Sequence, residues 1–433
     1  MLGQYRRGPG GRNWRTSAPK KVETPSPPYG TLLKSIEVKD LDGESTSFSQ
    51  TATITDSRLV ASYNWVDGNT VEPTILVPGK PPRWTPLTEA MNLAQDSGEY
   101  FRDKNAARYP KHPMEPAVLA LLATDPAVRT KLDVIGCGST IGNLLRFVRG
   151  KDKPFRMLVE LVQDTVFFIR RENSPTELLH DVYGYGHTFP EVYTSWEPDV
   201  KGSASHQRLV RYSFGGLQLI VRFEGDGYLA KSPSSSEASQ DASVDDLISG
   251  LPVAANISEK VSSGTKLKVQ RAGEVVDQDF IFDLKTRSVN KKNDQDTLGE
   301  ELPRMWVSQI PNFILAYHTR GVFHDIEVSD VHQDVEEWEK THNQQLSKLA
   351  ALIHRIIVEV RGRPDGKLEL CNDGSGELEF REQRSEAGDA LSVETKALWV
   401  KDVDSDEPDI VWAADDDYTA CTESCGYCGQ CTY

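Results

Sequence analysis

The sequence is poor in cysteine, in long apolar runs and in positive charge. Six cysteines stand in 433 residues, and four of them fall in the last thirteen. The body of the chain is therefore no disulfide scaffold, and it reads as a protein of a reducing compartment. No apolar run approaches the ~18–20 residues of a membrane span. The N-terminus, MLGQYRRGPGGRNWR, lacks the apolar stretch of a secretory signal. These absences predict a soluble protein inside the cell, nuclear or cytoplasmic, with no membrane partner. Hydrophobic residues make up 38% of the chain. Counted with glycine and without tyrosine, the fraction is about 42%, below the ~45–50% of typical globular proteins. Part of the chain is therefore expected to be disordered. The net charge of −16 argues against a protein that coats nucleic acid, but a local basic cleft stays compatible with it.

What charge there is lies unevenly. Residues 1–22 hold six bases (Arg6, Arg7, Arg12, Arg15, Lys20, Lys21) and no acid, with Tyr5 and Trp14 between the arginines. Such a Gly/Pro-rich run reads as a disordered basic tail over 1–30 that can touch RNA by charge and stacking. Residues 401–417 hold eight acids against Lys401. An acidic linker is expected over 363–417. Between these lies one folded domain over 31–362, interrupted by a Ser-rich mobile insertion at 230–262. Its patterning predicts helices at Pro113–Leu122 and Val335–Val360, and Thr85-Pro86 marks a helix start for Trp84–Leu93. Strand pairs are expected around Gln163-Asp164 and Gly215-Gly216, with further strands in KLKVQRA, DFIFDLKTR and Gly321–Val328. Arg304–Tyr317 reads either as a helix broken near Pro311 or as a strand. The fold class is α+β, a mixed central sheet flanked by helices.

Two strands carry charges that apolar surroundings make costly. Glu224 and Asp226 lie two residues apart in VRFEGDGY, and Asp283 and Lys285 two apart in FIFDLKTRS, so each pair shares one strand face. A charge in such a strand needs a partner or a metal. Carboxylate oxygens suit Mg²⁺ or Mn²⁺, which orient a water and neutralise charge on phosphorus, while a lysine adds positive charge. Taken alone, the second motif reads first as an ordinary ion pair between Asp283 and Lys285.

The order of the motifs adds to this. YGHTFPEVY with Glu191, FEGD with Glu224 and Asp226, FDLKTRS with Asp283 and Lys285, and MWVSQIPNFILAY with Gln309 follow one another. This succession, over about 99–330, resembles the decapping exonuclease (DXO-type) family, whose fold is the PD-(D/E)xK nuclease fold. The resemblance implies that Glu191, Glu224, Asp226 and Asp283 surround one or two divalent metals. It also implies that Lys285, Gln309 and Glu191 act on the water or the scissile phosphate. Implied too are RNA as partner, hydrolysis at unusual 5′ caps including NAD, 5′→3′ degradation, and an XRN-type exoribonuclease as a possible partner that no residue here maps. Two departures stand out. Asp283 replaces the family's glutamate. The arginine that contacts the RNA backbone in the family is missing from GCGSTIGNLLRF, where Cys137 or a small neighbour stands; Arg146 and Arg149 are candidate substitutes. The same acids, with Gln309 and Tyr317, also fit RecB- and phage-type DNA exonucleases, so DNA is the alternative substrate. A catalytically inactive binding or scaffold protein is the other alternative.

Cys421, Cys425, Cys428 and Cys431 give C-x₃-C-x₂-C-x₂-C, a four-cysteine module over 418–433. Four thiolates satisfy tetrahedral Zn²⁺, and an iron–sulfur cluster is the alternative. Cys137 and Cys371 read as small packing residues. His187, near Glu191, reads as a hydrogen-bonded histidine rather than a ligand. The run Arg102, Lys104, Arg108, Lys111 reads either as a phosphate-binding entrance or as a solvated face.

Overall fold

The computed structural model describes residues 24–67, 72–151, 153–180, 182–230 and 267–401. The basic N-terminal segment, most of the Ser-rich insertion and the four C-terminal cysteines lie outside the described residues. Apolar alternation in the strands and 3.6-residue periodicity in the helices give the α+β architecture expected from the sequence. Eleven described strands form one mixed sheet, in the order Leu32–Glu37, Glu377–Arg381, Lys367–Asn372, Phe155–Val162, Thr165–Arg171, Val134–Cys137, Leu217–Gly225, Ser203–Phe214, Thr55–Val66, Thr74–Pro78 and Lys268–Ala272. Val134–Cys137 runs parallel to both its neighbours. A second, six-stranded sheet is ordered Thr194–Ser195, Arg83–Trp84, Gly227–Tyr228, Ile281–Ser288, Asn312–Thr319 and Val322–Asp330.

Helices cover the large sheet on both faces. On one side lies helix Asn343–Arg361, whose Leu346, Leu349, Ala350, Ile353, Ile357 and Val360 recur at helical spacing and are buried. Helices Gly138–Val148 and Thr297–Ser308 join it there. On the other side, helix Glu115–Thr124 packs with helix Val393–Val400. The hairpin turn between Ser203–Phe214 and Leu217–Gly225 touches helix Asn343–Arg361. There Gly215 has φ +60°, and an added Cβ would stand 2.7 Å from the Ala350 side chain. Only glycine fits both the conformation and the approach. Among the described residues no helix is long and apolar enough to cross a membrane.

Three expectations change. Trp84–Leu93 is no helix: Arg83–Trp84 is a strand, Thr85 N–H donates to the Tyr193 carbonyl at 2.9 Å, and Leu87 and Met91 are exposed. The N-terminal signal was present, but nothing covers Leu87 and Met91, so a helix here would bury no apolar face. The long helix at 335–360 is two helices, His332–Thr341 and Asn343–Arg361, broken at His342, which stacks on Trp338. Residues 363–401 are not a linker. Lys367–Asn372 and Glu377–Arg381 are strands of the large sheet, where Leu368, Leu370, Leu378 and Phe380 are fully buried. Arg304–Tyr317 resolves into the end of helix Thr297–Ser308 followed by strand Asn312–Thr319.

Candidate active site

Strand Leu217–Gly225 leaves the large sheet at its end, and the chain continues directly as Gly227–Tyr228 in the small sheet. Asp226 sits at this crossing. Gly227 is required there, because an added Cβ would meet the Phe282 ring at 2.4 Å and the Pro82 carbonyl at 2.7 Å. The crossing brings Asp226 against strand Ile281–Ser288, where its Oδ2 accepts the Leu284 N–H at 2.8 Å. Asp283, one residue earlier on that strand, has a fully buried side chain. Neither of its oxygens makes a hydrogen bond of ordinary geometry. Burial, then the neighbouring Asp283 charge, pushes the Asp226 pKa up to about 7. Two carboxylates packed this way call for a cation.

Helix Thr297–Ser308 supplies one. The Arg304 guanidinium is ion-paired with Asp283. Lys285 Nζ lies 3.9 Å from Asp283 Oδ1 and 3.9 Å from Glu301 Oε2, and Arg287 lies 3.8 Å from Glu301. Arg304 also pairs with Glu301 at 3.1 Å, one helical turn before it. Three acids and three bases thus form one network.

Asp226 and Arg304 line a cavity of ≈ 1570 Å³, larger than the ~300–1,000 Å³ of small-ligand sites. Glu224 and Glu191 line the same cavity and are exposed. Glu224 pairs with Lys104 at 3.4 Å. Glu191 is carried by helix Thr188–Tyr193, whose start is fixed by Asp96: its carboxylate accepts the N–H groups of His187 and Thr188 and the Thr188 hydroxyl. The helix is anchored behind by Phe189 and Tyr193, stacked at 4.1 Å. His187 also lines the cavity and stacks face to face on Tyr100 at 3.6 Å. Burial, then the Lys104 charge, holds its imidazole below the ordinary pKa.

The structure therefore joins Asp226, Asp283 and Lys285 in one network and places Glu191 and Glu224 on the wall of the adjoining cavity. It does not gather the four carboxylates: among the described residues no three His, Cys, Asp or Glu side chains are grouped to hold a metal ion. Asp226 and Asp283 offer hard oxygen donors and fit a divalent cation by chemistry, with Arg304 holding that place. Gln309 departs from expectation. It caps helix Thr297–Ser308 in the left-handed conformation, φ 52°, and its amide donates to the Trp306 carbonyl at 2.6 Å rather than lining the cavity.

Sequence reasoning passed over Arg304 and Arg222. Arg304 carried a faint signal, standing three residues after Glu301 on a helix. Arg222 looked like one more polar residue of an alternating strand. It is in fact buried and lines the cavity with Arg146, Arg149 and Arg170, so an acidic protein sets arginines beside the cavity's carboxylates.

The large sheet, the crossing strand and the carboxylate–lysine pair define the class: the chain has the fold of the decapping exonuclease (DXO-type) family. It is similar to Rai1 of Scheffersomyces stipitis in complex with (3′-NADP)+ and calcium ion, at TM-score 0.55 and 12% identity over 86% of this chain and 98% of that one. Rai1 of S. pombe gives 0.51 and 12%, over 81% and 99%. Rai1 of Candida albicans in complex with pU5-Mn2+ gives 0.51 and 11%, over 81% and 97%. No curated protein matches the sequence. The family model described as a domain of unknown function (DUF8563) matches residues 35–368, and the chain belongs to that family.

Proposed function

We propose that this chain is a metal-dependent hydrolase of RNA 5′ ends, removing terminal cap or phosphate groups and degrading the strand from that end. The observation that carries this reading is the Asp226–Asp283 pair beside Lys285, at a cavity too large for a small ligand alone and walled by arginines. The similar structures support it, since those proteins were crystallised with a short RNA and manganese, and with a dinucleotide and calcium.

Asp226 and Asp283 would hold the divalent ion; Glu224 and Glu191 stand on the wall of the adjoining cavity. When bound, the ion supplies Lewis acidity toward a phosphoryl oxygen. The chain's own residues do the rest. Lys285 holds its ammonium beside Asp283, where it stabilises negative charge developing on phosphorus. His187, which lines the cavity and stacks on Tyr100, adds an aromatic surface beside the basic groups.

One observation favours a second reading, an RNA-binding protein of nuclease fold without turnover: Arg304 already neutralises Asp283. Cleavage assays separate the two. Monophosphate, triphosphate, unmethylated-cap and NAD-capped RNA are offered beside single- and double-stranded DNA, with Mn²⁺ or Mg²⁺. The proposal expects RNA 5′-end cleavage by the wild type, lost in Asp283→Ala/Lys285→Ala. Binding of RNA without any cleavage selects the second reading, and preference for DNA overturns both.

A further inference from the structure

Residues 24–30, TPSPPYG, are held to the large sheet by arginines and not by a strand ladder. Pro25, Pro27 and Pro28 have no N–H to donate, and each residue before a proline is pushed to extended backbone. The carbonyls take the contacts instead. Arg156 donates to the Pro27 carbonyl at 2.5 Å and to the Pro28 carbonyl at 3.4 Å. Arg381 donates to the Gly30 carbonyl at 3.0 Å. The Tyr29 ring faces both guanidiniums, with its centre 4.1 Å from Arg156 Cζ and 5.0 Å from Arg381 Cζ. Backbone bonding to the sheet begins at Thr31, whose carbonyl accepts the Glu382 N–H at 2.9 Å.

Ser26 is exposed, and its hydroxyl accepts the same Arg156 Nη1 at 2.8 Å. Behind it the charges do not balance. The Arg156 side chain, 10% exposed, pairs with Glu369 at 2.7 Å. Arg171, its partner in the antiparallel register, is 9% exposed and lies 3.5 Å from the same Glu369 oxygen. Glu369 itself is fully buried. The other acids nearby are engaged elsewhere. Glu379 bonds Arg381 through both its oxygens, at 2.7 and 3.0 Å, and Glu386 pairs with Arg384 at 2.6 Å. Two buried guanidiniums therefore share one carboxylate. Arg171 Nη1 is buried with no hydrogen-bond partner. A second anion beside Arg156 removes the cost of this excess charge.

We propose that Ser26 is a phosphorylation site for a proline-directed serine kinase, and that Arg156 and Arg171 receive the phosphate and pin residues 24–30 to the sheet. Ser26-Pro27 offers a serine followed by proline on exposed, extended backbone, the form in which such kinases take their acceptors. The kinase transfers the γ-phosphoryl group of ATP. The bond from Ser26 Oγ to phosphorus forms, the bond from that phosphorus to the bridging oxygen of ADP breaks, and the hydroxyl proton passes to the kinase's base. The product carries about −1.5 to −2 charge at pH 7 and three acceptor oxygens, next to the Arg156 nitrogen that the hydroxyl already contacts. A neutral hydrogen bond becomes a charge-assisted one. Ser-Pro recurs at Ser174 and Ser232. Ser174 bonds the Thr176 hydroxyl instead of an arginine, and Ser232 lies outside the described residues.

The test treats the full chain with a proline-directed kinase and ATP, maps the phosphate by mass spectrometry, and then times chymotrypsin cleavage after Tyr29, which is 47% exposed. Ser26 should be labelled. Cleavage after Tyr29 should be about tenfold slower in the phosphorylated chain, because a charge-assisted bond must open before the protease can take the segment. Ser26→Ala, treated in the same way, should be cut at the rate of the unmodified protein. Arg171→Gln leaves Arg156 and Glu369 balanced one to one, so phosphorylation should protect this variant much less. Should Arg171→Gln fail to fold, Arg156→Lys replaces it: a single ammonium keeps the charge at Glu369 but lacks the fork that also reaches Ser26. Labelling of Ser174 or Ser232 with Ser26 left bare overturns the proposal. So does a labelled Ser26 with cleavage after Tyr29 unchanged or faster, and so does full protection in the arginine variant. RNA cleavage plays no part in these readouts, so the site stands or falls separately from the hydrolase reading.

Discussion

At the scale of single residues, Asp226 gives a pH signature with a definite sign. In the unfolded chain its carboxyl titrates near 3.8, and in the folded protein near about 7. Between these values the folded state holds a proton that the unfolded state has released. Its contribution to stability is thus complete below 3.8 and declines as pH rises through about 7. Urea denaturation of wild type and Asp226→Asn in metal-free buffer should show the wild type losing stability relative to the variant over that interval. Parallel curves would remove the argument. Arg304 makes the complementary case. Arg304→Gln leaves the buried Asp283 with only the more distant Lys285, 3.9 Å away, as counter-charge, which costs roughly 1–3 kcal/mol. Thermal unfolding should show this loss, and added Mn²⁺ should restore stability more in the variant than in the wild type. Equal Mn²⁺ shifts in both proteins would mean that Arg304 does not hold the metal's place. Asp283 and Lys285 were legible in the sequence because charges set among Phe280, Ile281, Phe282 and Leu284 contradict their surroundings. Arg304 was not, because its approach depends on how a separate helix packs.

Among the elements, the turn from helix Thr297–Ser308 into strand Asn312–Thr319 separates structural from chemical roles. Gln309 there combines an unfavourable left-handed backbone with a side-chain bond to the helix. Gln309→Gly relieves the first, by roughly 0.5–1 kcal/mol, and loses the second, of about the same size. Stability should therefore change by less than about 1 kcal/mol, with cleavage nearly unaffected. A large loss of cleavage at unchanged stability would restore the catalytic role expected from the motif order. The hairpins at Gln163-Asp164 and Gly215-Gly216 were readable because turn chemistry and alternation agree locally. The Trp84–Leu93 helix failed because a capping signal says nothing about whether a face will be covered. The break at His342 falls in the polar stretch 339–345, where no apolar position says whether one helix continues or two meet.

On the scale of the molecule, the domain boundary is where sequence reading fell short. The segment beyond 362 looked like a linker because its acids outweigh its short apolar runs. Yet KLELC and ELEFR alternate, and they complete the sheet beside Leu32–Glu37. A fragment ending at 362 loses the fully buried Leu368, Leu370, Leu378, Phe380 and Leu391, each worth roughly 1.5–3 kcal/mol. That sum is comparable to the ~5–15 kcal/mol stability of a whole domain. Fragment 24–362 should be insoluble or lack a cooperative melt, while 24–401 melts cooperatively. Circular dichroism of both checks this, and a well-folded 24–362 would return the segment to linker status. The summed charge also misleads at this scale: a protein of net charge −16 gathers Arg146, Arg149, Arg170 and Arg222 on one cavity wall, because distant sequence positions converge there.

Cys137 gives the protein a built-in reporter. Its thiol is 5% exposed, and burial raises its pKa above the ordinary thiol value. It lies directly beneath Arg222. Alkylating reagents should therefore modify it slowly, and more slowly still when the cavity is filled. Its labelling rate, followed peptide by peptide in a mass spectrometer, would register occupancy of the cavity for any ligand, with no tag and no turnover required.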